Sequence, residues 1–224
     1  MKTSFALALA AVGGAAGIGA GEAQAQLAVS GGIGTTGGKV ELQYQVIPHL
    51  VIRGGYNYFE YEADDAYEDI AYSGDLDLTT FGAFVDFHPL GGAFMITAGV
   101  YQGDKGLDLV ADPANTYQIG GQTFTSAQVG ELRLKADLES SAPFIGLGWD
   151  TTYTGSGPFG FKFIAGAMFT GSPQVDLIST GGTRTQQQDA AFQQALLDEE
   201  ADLQDEVDDY EIYPVVEVGL TFRF

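Results

Sequence analysis

Apolar and polar positions alternate along most of this chain. In "KVELQYQV", Val40, Leu42, Tyr44 and Val46 fall on one side of an extended segment. Lys39, Glu41, Gln43 and Gln45 fall on the other. In "LVIRGGYNY", Leu50, Ile52, Tyr56 and Tyr58 share a face opposite Arg53 and Asn57. "AFMITAGVY" sets Phe94, Ile96, Ala98 and Val100 against Met95, Thr97, Gly99 and Tyr101. "FGFKFIAGAMF" sets Phe159, Phe161, Phe163, Ala165, Ala167 and Phe169 against Gly160, Lys162, Ile164, Gly166 and Met168. A period of two predicts strands. Charge avoids the apolar face, so that face is expected to meet lipid and the other a polar lumen.

Connections come in two lengths, as in barrels with short periplasmic turns and longer outer loops. The short ones are 47–49, 88–92 and 151–158; the long ones are 60–75, 112–130 and 172–209. His49 and His88 thereby lie at the periplasmic rim. The strand ending at residue 47 runs toward the periplasm, so an upward strand must precede it, and glycine-rich "QLAVSGGIG" is the candidate. The count becomes eight: 26–34, 38–47, 50–63, 74–88, 93–110, 130–150, 158–171 and 209–224. The fold class is all-β, an eight-stranded antiparallel transmembrane β-barrel. A secreted β-sandwich is the rival.

Several strands exceed the ~9–11 residues that span a bilayer, and their polarity inverts on the way up. Asp75, Asp77, Asp104, Asp108, Glu131, Arg133, Lys135, Asp137 and Glu139 continue the outer face. Leu76, Leu78, Leu107, Leu109, Leu132, Leu134 and Leu138 continue the inner one. A barrel wall rising beyond the outer leaflet explains this: its exterior meets water and its interior packs as a core. These leucines, with Phe59 and Tyr61 as further candidates, are expected to fill an extracellular collar. Three concerted register-resetting bulges are the alternative. The last outer loop predicts a short helix, with Phe192, Leu196, Leu203 and Val207 near helical spacing.

The ends change the picture. Residues 1–25 hold Lys2, a run of Phe, Ala, Leu, Val, Gly and Ile, and Ala23-Gln24-Ala25, which fits an A-x-A cleavage signal. They read as a secretory signal peptide, leaving 26–224 as the outer-membrane barrel of a Gram-negative bacterium. After residue 25 no run approaches the ~20 apolar residues of a membrane helix. The chain has 32 glycines, 11 tyrosines, 15 phenylalanines and no cysteine, so no disulfide supports the fold.

Lysine plus arginine total only 9, yet Lys39, Arg53, Lys162 and Arg223 all take inward parity. Glu41, Asp86, Asp150 and Glu217 are their expected partners, with Gln43, Gln45 and Asn57 completing a polar lumen. An eight-stranded barrel is just wide enough for side chains to fill it. Two readings remain: a paired plug that neutralises buried charge, or a narrow polar path. Net charge is −21; residues 60–77 hold eight of the 30 acids and residues 189–211 hold ten. Such loops draw cations, including divalent ions bridging anionic lipopolysaccharide, and exclude nucleic acid as partner. No ordered ligand spacing defines a metal site, no cofactor is implied, and no nucleophile–base–acid group can be assembled at the outer face, so an enzyme is not expected. Phe224 ends the last strand in the aromatic girdle.

"IGTTGG" (33–38), "APFIGLGW" (142–149), "FTGSPQVDLISTG" (169–181) and "ALLDEEADLQDEVDDYEIYPVVEVGLTF" (195–222) resemble the small CarO-type, carbapenem-associated outer-membrane barrels. The resemblance implies eight strands and a role in influx of small solutes, notably basic amino acids, and of carbapenems. A terminal Phe in such barrels is implied to address the assembly machinery. The expected function is thus a narrow channel for small solutes, cationic ones such as basic amino acids among them. A non-conducting structural or surface-binding barrel with acidic, cation-attracting loops is the alternative.

Overall fold

The computed structural model describes residues 26–67, 70–111 and 115–224; for 60–67, 70–78 and Asp104 it describes the backbone alone. The leader read from residues 1–25 lies outside the described residues.

Among these, eight antiparallel strands close into a barrel. Five come first in chain order: β1 (Leu27–Gly34), β2 (Gly37–Ile47), β3 (Leu50–Tyr67), β4 (Ile70–Phe87) and β5 (Phe94–Ala111). A hairpin of β6 (Thr116–Ile119) and β7 (Gln122–Thr125) and the single-turn helix α1 (Ser126–Val129) follow. The sixth barrel strand, expected unbroken over 130–150, is interrupted between β8 (Gly130–Asp137) and β9 (Ser141–Asp150). The seventh is likewise β10 (Phe159–Phe169) and then β11 (Gln174–Gly181), a strand placed inside the expected outer loop. Helices α2 (Thr183–Gln186) and α3 (Ala190–Val207) lead to the closing strand β12 (Ile212–Arg223).

β1 is short and glycine-rich, yet it closes the barrel, pairing with β2 on one side and with β12 from Ala28↔Arg223 to Gly34↔Glu217 on the other. Outside, Leu42, Ile52, Phe81, Val85, Ile145, Leu147, Val218 and Leu220 are exposed and form an apolar belt. At its short-turn end aromatic rings meet in pairs: Phe94 with Trp149 at 5.9 Å, Phe159 with Phe222 at 5.3 Å and Phe222 with Phe224 at 5.4 Å.

Polarity does invert along strands that keep their pairing. The β3–β4 and β4–β5 ladders run without a register shift from belt to tip, and β5 keeps one register with β9 below and β8 above. The collar, however, is not a closed wall. β1 and β2 stop at the Thr35-Thr36 turn, and among the described residues only β3, β4, β5, β8 and β11 continue upward, as an open five-stranded sheet. With no chain to complete a ring, the apolar inner face is covered instead by the hairpin and helices. Ala111, Tyr117, Ile119, Phe124, Val129, Leu132, Phe192, Ala195 and Leu196 make that headpiece core. Of the leucines expected there, Leu132 belongs to it. Leu107, Leu109, Leu134 and Leu138 are half-buried outside it, and the side chains of Leu76, Leu78 and Tyr61 lie outside the described residues.

Helix α3 also deals with the open edge of β11. An edge strand leaves every second amide without a ladder partner. Gln204 Oε1 accepts from Val175 N at 3.0 Å and Glu200 Oε2 from Leu177 N at 3.1 Å. Glu199 Oε2 accepts from Gly120 N at the hairpin tip, 2.8 Å away. Asp189 caps the helix, accepting from Ala191 N and Phe192 N. The bond from Arg184, followed by those two amides, holds its carboxyl below the usual aspartate value. A depressed folded value means that the cap's full contribution holds above the ordinary pKa and is lost as pH falls through the lower one. Replacing both Glu200 and Gln204 with alanine is expected to speed hydrogen exchange at the Val175 and Leu177 amides by at least tenfold. The barrel amides of β9 and β12 stay protected; unchanged exchange at 175 and 177 would mean that water already serves those groups.

Candidate functional site: a charged and aromatic lumen

Alternation delivers side chains from every barrel strand to one interior. Glu41 of β2 is its hub. Oε1 accepts from Lys39 Nζ at 3.1 Å and from Arg53 Nη1; Oε2 accepts from Ser30 Oγ at 2.9 Å and from Lys162 Nζ. Three cations therefore converge on one carboxylate. Arg53 also donates to Asp86, with Nε at 3.0 Å and Nη2 at 3.2 Å, and to Thr97 Oγ1 at 3.1 Å. Lys39 also reaches Glu217, whose other oxygen accepts from Thr36 Oγ1 at 3.0 Å and Tyr101 OH at 3.1 Å.

Lys162 extends the network to the floor through Gln43. The amide is satisfied with its oxygen toward Lys162 Nζ (2.9 Å) and its nitrogen toward Asp150 Oδ2 (3.2 Å). Asp150 Oδ1 accepts from Thr152 N at 2.7 Å and from the Thr152 hydroxyl, which lies 2.7 Å from that of Thr221. All of these charged groups are buried. Burying a charge is tolerated only where partners replace water, and here each carboxylate gathers several donors.

Next to these charges on the same strands, the interior is apolar. Phe84, Met95, Tyr101, Ala142, Phe144, Ile164, Met168 and Val215 form a second buried cluster. The rings of Phe84, Tyr101 and Phe144 meet edge to face with centroids 4.9–5.8 Å apart. The Arg53 guanidinium lies 4.1 Å from the Phe84 centroid, joining the charged and apolar groups by a cation–π contact. Glycines make room: a Cβ at Gly82 or Gly99 would overlap the Phe84 ring, one at Gly146 or Gly166 that of Phe144, and one at Gly148 the Met95 methyl. Above the charges, a small cavity of about 10 Å³ is bounded by Thr36, Thr80, Lys105, Met168 and Tyr213, room for about one water.

Of the residues read from sequence as lumen polar groups, Lys39, Glu41, Gln43, Arg53, Asp86, Asp150, Lys162 and Glu217 meet in this network. Asn57 is buried but donates to Thr80 Oγ1 at 3.1 Å. Gln45 is half-exposed beside the register shift at the end of β2. Arg223 does not join: its Nη2 donates to Gly155 O at 3.0 Å and Gly157 O at 3.3 Å, because the last strand ends at the short-turn rim. Ser30, Thr36, Thr97, Tyr101, Thr152 and Thr221 went unread as partners, as did the Phe84 ring. Inward parity is the only sequence signal of those on strands; Thr36 and Thr152 sit in turns and carry none. Lys105 is buried as well, donating to Gly103 O and Ser140 O at the seam between barrel and headpiece.

No family model matches the chain, and no curated protein matches it. Solved structures do, among them two crystal structures from Acinetobacter baumannii. The crystal structure of Acinetobacter baumannii CarO2 is similar at 23% identity and TM-score 0.58, over 88% of this chain and 98% of that one. The crystal structure of A. baumannii CarO is similar at 22% identity and TM-score 0.57, over 89% and 97%. The fold is that of the CarO-type barrel. At this identity the likeness speaks for the fold alone.

Proposed function

We propose that the chain is exported by residues 1–25, cleaved before Gln26, and assembled in the bacterial outer membrane as a barrel with a sealed lumen. Its working surface is then the acidic headpiece outside the cell. The observation that supports this is Glu41, which draws Arg53 from β3 and Lys162 from β10 together across the lumen. An open polar path would leave such groups to water; here they are spent on one another. The headpiece, with its own core, carries the acidic helix α3, suited to cations and to divalent ions bridging anionic lipopolysaccharide. No enzymatic step is assigned.

A narrow channel for small solutes, cationic ones such as basic amino acids among them, is the second reading. The acidic mouth favours it, and it needs the charge network to part. Planar bilayers and liposome swelling with ornithine, arginine and glucose separate the two. The sealed barrel is expected to give background conductance and no swelling. Reproducible solute-dependent flux would replace it with the channel.

A further inference from the structure

We propose that Gln26 is a modification site: once residues 1–25 are removed, its α-amino group closes onto its own side-chain carboxamide to form pyroglutamate. This rests on the cleavage reading above. Gln26 sits at the short-turn end, where the first and last strands meet. Tyr44 OH donates to its side-chain Oε1 at 3.1 Å, and Tyr153 OH donates to its main-chain oxygen at 3.1 Å. Phe224 N donates to the neighbouring Leu27 O at 3.1 Å. Main chain and carboxamide oxygen are both held.

The step balances without a co-reactant. The neutral amine attacks Cδ, a C–N bond forms, the Cδ–Nε2 bond breaks, and Nε2 leaves as ammonia with the proton that the amine sheds. Nothing is oxidised or reduced. Negative charge gathers on Oε1 in the tetrahedral adduct, the atom that the Tyr44 hydroxyl already touches, so that bond strengthens as the reaction proceeds. The product suits the place. Leu27 pairs with Tyr44, and Val29 with Phe222, so the amine lies at the rim of an aromatic, apolar belt. A lactam is neutral, and its carbonyl still accepts from Tyr44.

The full chain, expressed with its own leader and extracted from outer membranes, gives the test by intact mass and sequencing of the N-terminal peptide. A species starting at residue 26 and one ammonia lighter than the free amine is expected. A chain starting at residue 26 with a free amine overturns the proposal and leaves the cleavage reading standing. Any other start removes both. In pulse-chase, Tyr44→Phe is expected to slow lactam formation several-fold in barrels that still show heat-modifiable migration. An unchanged rate in such barrels removes Tyr44 from the step.

Discussion

Glu41→Gln is expected to cost the assembled barrel about 3–5 kcal/mol, the scale for breaking a buried ion pair by removing one partner. The amide keeps the shape and can still accept from Ser30, but it leaves Lys39, Arg53 and Lys162 facing a neutral group. Lys39 retains Glu217 and Arg53 retains Asp86. Lys162 is left with Ser30 and the Gln43 amide, so most of the penalty should collect there. Denaturant unfolding in detergent, followed by heat-modifiable migration, measures it. Adding Lys162→Met should recover part of the loss, since the double variant removes the stranded cation. A single variant as stable as the parent would mean that water reaches the network and already screens it.

Phe84→Ala is the second large effect, about 3–5 kcal/mol, the usual range for deleting a buried phenylalanine. The upper end applies because the surroundings cannot slump into the hole. Gly82 and Gly99 face the ring without side chains, and Tyr101 is tethered to Glu217. The same unfolding assay reads the loss, and a cost under 1 kcal/mol would show that the lumen repacks freely. Conductance should stay at background, since the Glu41 and Glu217 ion pairs still cross the interior. A pore opened by Phe84→Ala alone would move the seal from the ion pairs to the rings.

How far the lumen could be read in advance differs between its charged and its apolar groups. For the charged groups, parity alone put Lys39, Glu41, Arg53 and Lys162 on one side of their strands, because charge on an apolar outer face is costly. For the apolar groups, parity placed Met95, Tyr101, Ile164 and Met168 inward too, yet their meeting as one packed cluster had no local signal. The glycines show why. Gly82, Gly99, Gly146 and Gly166 looked like a compositional excess along the chain, and only the rings that arrive from neighbouring strands explain them. The collar follows the same logic. Inverted polarity marked strands that rise past the apolar belt, but nothing local to β3 or β5 records that β1 and β2 stop lower down.

The sequence by itself determined that this chain is a two-faced β-barrel: which residues look out, which look in, and where polarity inverts along a strand. Those facts are local, set by a pleat of period two between two solvents. The tertiary structure alone decided that three cations share Glu41 while Arg223 is spent on a turn. It likewise decided that the collar is an open sheet roofed by a hairpin and a helix, and that the Phe84, Tyr101 and Phe144 rings meet inside the barrel. Contacts across a closed barrel join residues up to the full chain apart, so strand number, stagger and closure choose the partners, and no single strand carries that information.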